Sequence, residues 1–149
     1  MNNYFLCKVR YSKTLENGLQ KKVTESYLVY ALSFTEAEAR IIEEMKPFIS
    51  GEFSIADISR YPISELFLNE NGDRFYRATI AFITLDERSG SERKTKVNML
   101  CQSSDLQSAK DALTEEMKGT LADFDIIGVK ETAIVEFLPY SSTSGNKDI

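Results

Sequence analysis

Two stretches of the chain place hydrophobic residues at helical spacing. In the first they are Phe34, Ala37, Ile41, Met45 and Phe48, and in the second they are Leu106, Ala109, Leu113 and Met117. Intervals of three and four residues put such side chains on one face of an α-helix. Ser33, followed three residues later by Glu36, forms the sequence pattern of a capping box at a helix start. The pattern therefore predicts two amphipathic helices, one from Ser33 to Met45 and one from Asp105 to Met117.

The segments around these helices alternate as β-strands do. Residues 4–11 turn Phe5, Cys7 and Val9 to one side and polar residues mostly to the other. Asn17-Gly18, a dipeptide that favours hairpin turns, leads into a second strand at 21–31. Residues 53–67 are predicted to form one strand bent at Pro62, or two strands. After the turn-forming segment 69–73, strands are predicted again at 75–85, 93–102 and 124–138.

The two halves of the chain have matching patterns. Ile55, Ile58, Ile63 and Glu65 correspond to Ile126, Val129, Ile134 and Glu136 at a constant offset of 71. The tetrapeptide EEMK occurs in both predicted helices at an offset of 72. We therefore predict an α+β fold of two tandem strand-strand-helix-strand repeats, residues 4–67 and 75–138, with pseudo-twofold symmetry. The sheet is expected to be mostly antiparallel with the helices on one face, and the pattern leaves open whether there is one sheet or two.

Composition limits the class of protein. A chain of 149 residues with 42% hydrophobic and 28% charged residues is typical of one globular domain, here 1–139, with a flexible polar tail at 140–149. No apolar run approaches the length of a membrane span, and the N-terminus lacks a signal-peptide pattern. The sequence thus predicts a cytoplasmic protein with no membrane partner. Cys7 and Cys101 lie in strand-like runs and are expected to be buried and unpaired.

Residues for catalysis or metal binding are scarce. The chain has no histidine, no glycine-rich nucleotide loop and no metal-ligand spacing. Glu65 and Glu136 occupy corresponding positions, so a carboxylate pair for acid–base chemistry is conceivable. Outward-facing glutamates on strands are the simpler interpretation. We predict a protein that is not an enzyme and has no cofactor and no metal site.

Positive charge is concentrated in the two predicted hairpins. Residues 1–31 contain five cationic and two anionic side chains, and residues 74–102 contain six and three, so each hairpin carries +3 in a chain of net charge −5. Alternation places basic and aromatic side chains together on the sheet face opposite the helices. Such a face suits single-stranded nucleic acid, whose phosphates bind cations and whose bases stack on rings. The predicted binding residues are Tyr4, Lys8, Arg10, Tyr30, Arg77, Lys94 and Lys96.

A second interpretation stays open. Lysine and arginine on the solvent face of antiparallel strands are common and protect sheet edges from aggregation. The same face or an edge could bind a protein partner or a second copy of the chain, in a protein-binding or assembly module with no nucleic-acid role.

Several segments resemble a known family. They are CKVRYSKTLENGLQKKVTE near the N-terminus, ALSFTEAEARIIEEM at the first helix, and MKGT and KETAIVE in the second half. They resemble an uncharacterised family, a domain of unknown function of about 150 residues associated with gut anaerobes and their phages and mobile elements. The resemblance covers nearly the whole chain except the tail. It implies no activity and no site residue.

Overall fold

The computed structural model describes residues 3–139, so the predicted flexible tail at 140–149 lies outside the described residues. The elements in chain order are β1 (Tyr4–Thr14), β2 (Gln20–Tyr30), α1 (Phe34–Met45), β3 (Phe53–Arg60), β4 (Glu65–Phe67), β5 (Arg74–Leu85), β6 (Glu92–Ser103), α2 (Leu106–Met117), β7 (Asp123–Glu131) and β8 (Ile134–Leu138). The described chain divides into two compact units, residues 3–61 with 134–139, and residues 62–133. The predicted α+β class is confirmed.

Each unit contains one four-stranded sheet and one helix. The first sheet has the order β3-β1-β2-β8, and the second has the corresponding order β7-β5-β6-β4. In each sheet three strands are antiparallel, and the fourth, β8 or β4, runs parallel to its neighbour. The sheets are therefore mostly antiparallel, as predicted, and there are two of them. The superposition of residues 4–67 on 75–138 stays a prediction.

The last strand of each sequence repeat joins the sheet of the other unit. The Tyr61 N–H donates to the Tyr4 carbonyl in the first unit, but three residues later the Ser64 N–H donates to the Asn98 carbonyl in the second unit. Pro62 between them has no N–H to extend the ladder. Thus β4 pairs with β6, and β8 returns to pair with β2. The pattern predicted that residues 53–67 and 124–138 complete their own repeats, and the structure differs because each stretch contains two strands with different destinations.

Local sequence accounts for the helix starts. The Ser33 hydroxyl accepts from the Glu36 N–H at 3.1 Å, and the Glu36 carboxylate accepts from the Leu32 N–H at 3.1 Å. At α2 the carboxylate of Asp105 accepts from the Ser108 N–H at 2.7 Å. These bonds satisfy backbone donors that have no partner within the helix.

The core of each unit lies between its helix and one face of its sheet, which we call the first face. In the first unit Phe5, Cys7 and Val9 pack with Ala37 and Ile41, all fully buried. In the second unit the corresponding cluster joins Ala78, Ile80 and Met99 to Leu113 and Met117, with Tyr76, Cys101 and Ala109 beside it. The prediction that Phe5, Cys7 and Val9 share one side of β1 is confirmed, and that side packs against α1.

The ends of the hydrophobic stripes are not buried. Phe48 is 78% exposed because α1 ends at Met45 and the Phe48 N–H donates to the Met45 carbonyl in a turn, so this residue leaves the helical face. Phe34 and Leu106, the first residues of the two helices, are also exposed. The buried stripes are therefore shorter than the sequence pattern predicted.

Candidate nucleic-acid interface

The predicted binding residues are divided between the units. The face of each sheet opposite its helix is called the second face. Tyr4, Lys8, Arg10 and Tyr30 lie on the second face of the first unit, and Arg77, Lys94 and Lys96 lie on that of the second unit.

The most accessible cations of the first unit lie near the hairpin end of β1 and β2. Arg10 lies opposite Thr24 on one side and Ser54 on the other, and Lys22 lies opposite Ser12. Both side chains are exposed and line an open depression of about 270 Å³. Within residues 3–139 neither forms an ion pair. They can therefore bind an anion without first breaking a salt bridge.

Lys8 is a weaker candidate. Its side chain is half-buried and lies opposite Ser26 on β2 and Asp57 on β3. A carboxylate at the facing position of an antiparallel pair lowers the positive potential around a lysine. Arg10 and Lys22 therefore contribute more of the positive potential of this unit than Lys8 does.

The aromatic residues of the first unit lie at the opposite end of the same strands. The Tyr4 and Tyr30 rings meet edge to face, with centroids 5.2 Å apart, and Tyr4 also packs against Phe137 on β8 at 6.1 Å. Both tyrosines are half-buried. Arg40 from α1 donates to the carbonyls of Tyr30 and Pro139 and secures the ends of β2 and β8. Cations and aromatic rings are thus separated along the strands, not interleaved as predicted.

In the second unit Lys94 and Lys96 are exposed and lie opposite Ile83 and Ala81. Arg77 is half-buried and lies opposite Lys130 on β7, so this face carries a further cation. Neither lysine of β6 forms an ion pair within the described residues.

The sequence pattern did not identify Lys22 and Lys130 as residues of the basic face. Lys22 could have been identified from the hairpin register, because counting from the Asn17-Gly18 turn places it on the same face as Arg10. Lys130 could not, because its pairing with Arg77 depends on the long-range contact between β5 and β7.

The second face is not open along its whole length, which corrects the prediction of an open sheet face. Phe75, which lies on this face of β5, is 2% exposed, and Leu28 and Leu100 are fully buried. Alternation states which side of a strand a residue occupies but not whether that side is covered. Among the described residues, the hairpin end of each second face is accessible and carries cations. In the second unit Asp125 and Asp123 lie in the same rows as Lys96 and Lys94, across Ala81 and Ile83, so they lower the positive potential there.

The carboxylate of Glu25 is held on the first face, whereas Glu52 lines the same depression as Arg10 and Lys22. Glu25 accepts hydrogen bonds from the hydroxyls of Tyr11 at 2.9 Å and Tyr27 at 3.0 Å. Burial, followed by the interaction with Glu25, raises the pKa of both tyrosines, so both hydroxyls stay protonated and donate. Glu25 lies opposite Val9, on the face away from Arg10 and Lys22.

No arrangement typical of catalysis is found in the described part of the chain. Glu65 and Glu136 are exposed and belong to different units. Cys7 and Cys101 are buried and unpaired, and burial raises the pKa of each thiol. Among residues 3–139 no three acidic or cysteine side chains converge as metal ligands. In the same range neither helix has the length and apolarity of a membrane span.

These features define a class: a small α+β protein with two four-stranded sheets, each covered by one helix and carrying a basic hairpin. The chain belongs to the family described as domain of unknown function DUF4494, whose model matches residues 3–140. No curated protein matches the chain.

Proposed function

We propose that this protein is a non-enzymatic binding protein that binds single-stranded nucleic acid through the basic hairpin ends of its second faces. The observation that carries the proposal is the set of exposed cations, Arg10, Lys22, Lys94 and Lys96, none of which has an ion-pair partner within residues 3–139. Free cations on a sheet bind phosphates and release the counterions of the strand. Concentration of charge on the hairpins supports local attraction in a protein whose net charge is −5.

The separation of cations from rings defines the mode of binding. Arg10 and Tyr4 are six residues apart on one strand, or about 20 Å at the rise of an antiparallel strand. Phosphate contacts therefore dominate at the hairpin end, and base stacking on Tyr4 and Tyr30 requires an oligonucleotide long enough to reach them. We expect affinity to depend on strand length and weakly on sequence.

A salt titration tests this proposal. A fluorescent single-stranded oligonucleotide is titrated with the full chain at low and at physiological salt, and we expect the logarithm of the binding constant to fall linearly with the logarithm of the salt concentration. Replacing Arg10, Lys22, Lys94 and Lys96 by alanine should weaken binding and reduce the slope by about 0.7 for each phosphate that the variant no longer neutralises. The matched control replaces Lys46 and Lys118, which pair with Glu43 and Glu115 at the helix ends. No binding at low salt, or an equal effect of the control, contradicts the proposal.

The tyrosines provide a second readout. Replacing Tyr4 or Tyr30 by alanine should weaken binding of a long oligonucleotide by about 1–3 kcal/mol per stacked base and leave the salt slope unchanged. A short oligonucleotide that occupies only the hairpin end should bind these variants as it binds the unaltered chain.

The alternative function is a protein-binding or assembly module with no nucleic-acid role. The observation that favours it is an apolar groove in the second unit, between α2 and β7. The resemblance to proteins of gut anaerobes, phages and mobile elements supports a role of either kind in the cytoplasm of such a host. Absence of oligonucleotide binding at low salt would favour this alternative, whereas binding that persists in the four-cation variant would place the nucleic-acid site away from both hairpins.

A further inference from the structure

The second unit has an accessible groove between helix α2 and strand β7. Its volume is about 360 Å³, and its walls include Leu106, Lys110, Leu113, Ile126, Ile127 and Val129. Leu113 is buried, whereas Leu106 is 41%, Ile126 39% and Ile127 53% exposed. Exposed aliphatic side chains that surround one concave site are typical of a docking surface.

The bulge in β7 explains why two consecutive isoleucines line this groove. Ile126 lies opposite Ile80 and Gly128 lies opposite Thr79, so Ile127 is an extra residue in β7. An extra residue interrupts the alternation of side chains. The first unit has a bulge at the corresponding place in β3, but its extra residue is Ala56, which has a much smaller side chain.

In the first unit, aromatic rings and a guanidinium group pack together at the start of α1. There α1 begins with Phe34, whose ring packs on Phe5 with centroids 4.9 Å apart. The Arg60 guanidinium lies 4.9 Å from the Phe5 ring and 5.2 Å from the Phe34 ring. An aromatic ring of the chain itself therefore covers the first face at this point.

The second unit lacks this aromatic cover. Its helix begins with Leu106, a smaller side chain, and the residue 71 positions after Arg60 is Glu131, which pairs with Arg74 at 3.9 Å. The apolar surface beside Leu106 is thus available to an aromatic side chain from another molecule.

Charge further defines the partner. Lys110 is the charged residue of the groove wall, is exposed and forms no ion pair within residues 3–139. The residue 72 positions earlier, in α1, is Glu38, so the two units carry opposite charges at this point. A segment with carboxylates next to its aromatic residue is complementary to the groove of the second unit and not to the first unit.

The outer edge of β7 is also available for pairing. β7 is the last strand of its sheet and pairs with β5 alone among the described strands. An extended segment can add to such an edge through main-chain hydrogen bonds, and alternate side chains then reach the adjacent groove.

We propose that the groove between α2 and β7 docks an extended, acidic segment of a partner protein, which inserts one aromatic side chain beside Leu106 and places a carboxylate near Lys110. This interaction is independent of the nucleic-acid proposal, because the groove lies on the helix side of the second sheet and Lys94 and Lys96 lie on its second face.

The test uses the full chain and a labelled synthetic peptide with one central phenylalanine flanked by aspartates, measured by fluorescence anisotropy at physiological salt. Two comparison peptides replace the phenylalanine by alanine or the aspartates by lysines, and each should bind about tenfold more weakly or worse. In spectra of the isotope-labelled chain, the amide signals of Leu106, Lys110 and Ile127 should shift on addition of the first peptide.

Two variants introduce into α2 the residue types that α1 has at the corresponding positions, Phe34 and Glu38. Leu106→Phe covers the groove with the ring of the protein itself, and Lys110→Glu reverses the charge. Each should weaken binding of the acidic phenylalanine peptide about tenfold. Circular dichroism checks that both variants keep the fold. The matched control, Glu38→Lys in α1, changes charge at the corresponding exposed position of the first unit and should leave peptide affinity unchanged.

Several results would overturn the proposal: equal affinity for all three peptides, no binding of the acidic phenylalanine peptide, or unchanged affinity in both groove variants. Displacement of the peptide by the oligonucleotide would place it on the basic face instead. A dimer of the unaltered chain that Leu106→Phe dissociates would assign the groove to a second copy of this chain and not to a partner protein.

Discussion

At the scale of single residues, the two units have different side chains at corresponding positions of their strands. The first unit places Tyr11, Glu25 and Tyr27 in a hydrogen-bonded cluster on its first face. At the positions 71 or 72 residues later the second unit has Phe82, Val97 and Met99, which pack with its apolar core. A carboxylate in this environment is tolerated because two hydroxyls satisfy it, whereas an apolar trio needs no such partners.

The two cysteines give a prediction at this scale. Burial, followed by the nearby Asp57 carboxylate, raises the pKa of Cys7 to about 12, and burial followed by Glu116 raises the pKa of Cys101. Because the thiolate is the reactive form, a thiol reagent at pH 8 should label the folded protein slowly and the urea-unfolded protein rapidly.

The same shifts predict how stability depends on pH. The folded protein holds these thiol protons more tightly than the unfolded chain does. The thiols therefore contribute to the free energy of unfolding below the ordinary thiol pKa of about 8.5, and this contribution decreases as the pH rises above it.

Rapid labelling of the folded protein, or a disulfide between Cys7 and Cys101, would show that the first face is wrongly assigned.

At the scale of elements, the helices are specified locally, and their N-caps differ in chemistry. Ser33 caps α1 with a neutral hydroxyl, and Asp105 caps α2 with a carboxylate whose pKa is lowered by the hydrogen bond from the Ser108 N–H. A charged cap also interacts favourably with the helix dipole.

This difference predicts two pH profiles. Ser33→Ala should lower the free energy of unfolding by about 1 kcal/mol at any pH where the protein is folded. Asp105→Ala should lower stability near pH 7, and its effect should shrink as the pH falls below about 4, the ordinary aspartate pKa of the unfolded chain, and through the lowered pKa of the folded protein. Urea denaturation of both variants at pH 7 and pH 3.5 is the measurement. An Asp105→Ala effect that does not change with pH would indicate that the carboxylate is not the capping group.

At the scale of the whole molecule, each half of the chain contributes one strand to the sheet formed mainly by the other half. β4 is the last strand of the first half of the chain but belongs to the sheet of the second unit, and β8, the last strand of the second half, belongs to the sheet of the first. Ile63, just before β4, is 6% exposed and Leu138, at the end of β8, is 5% exposed, so both strand regions contribute buried side chains. Neither half of the chain alone contains every strand of a complete unit.

Strand exchange predicts that cleavage between the halves does not separate them. A protease site inserted between Glu70 and Asn71, both exposed in the turn before β5, cuts the chain between β4 and β5. The two pieces should still elute together from a sizing column without denaturant, because each piece supplies the fourth strand of the other. As a control, the cleaved chain with both Ile63→Asp and Leu138→Asp should come apart, because each charge is placed at a buried site. Separation of the cleaved chain without these substitutions would contradict the exchange.

The sequence by itself determined the positions of both helices, the hairpin turn at Asn17-Gly18 and the choice of first face by Phe5, Cys7 and Val9. These features depend on residues close together in the chain, whose spacing and caps act within a few turns of backbone. The basic character of the two hairpins was visible for the same reason.

Only the tertiary structure decided where residues 63–67 and 134–138 pair, which parts of the second faces are covered and that Lys130 lies opposite Arg77. These outcomes depend on pairing between strands that are distant in sequence, and alternation is the same whichever sheet a strand joins. The groove beside Leu106 depends on the same kind of information, because the helix stripe predicted that this residue is buried. It is exposed, as its counterpart Phe34 is, because each is the first residue of its helix.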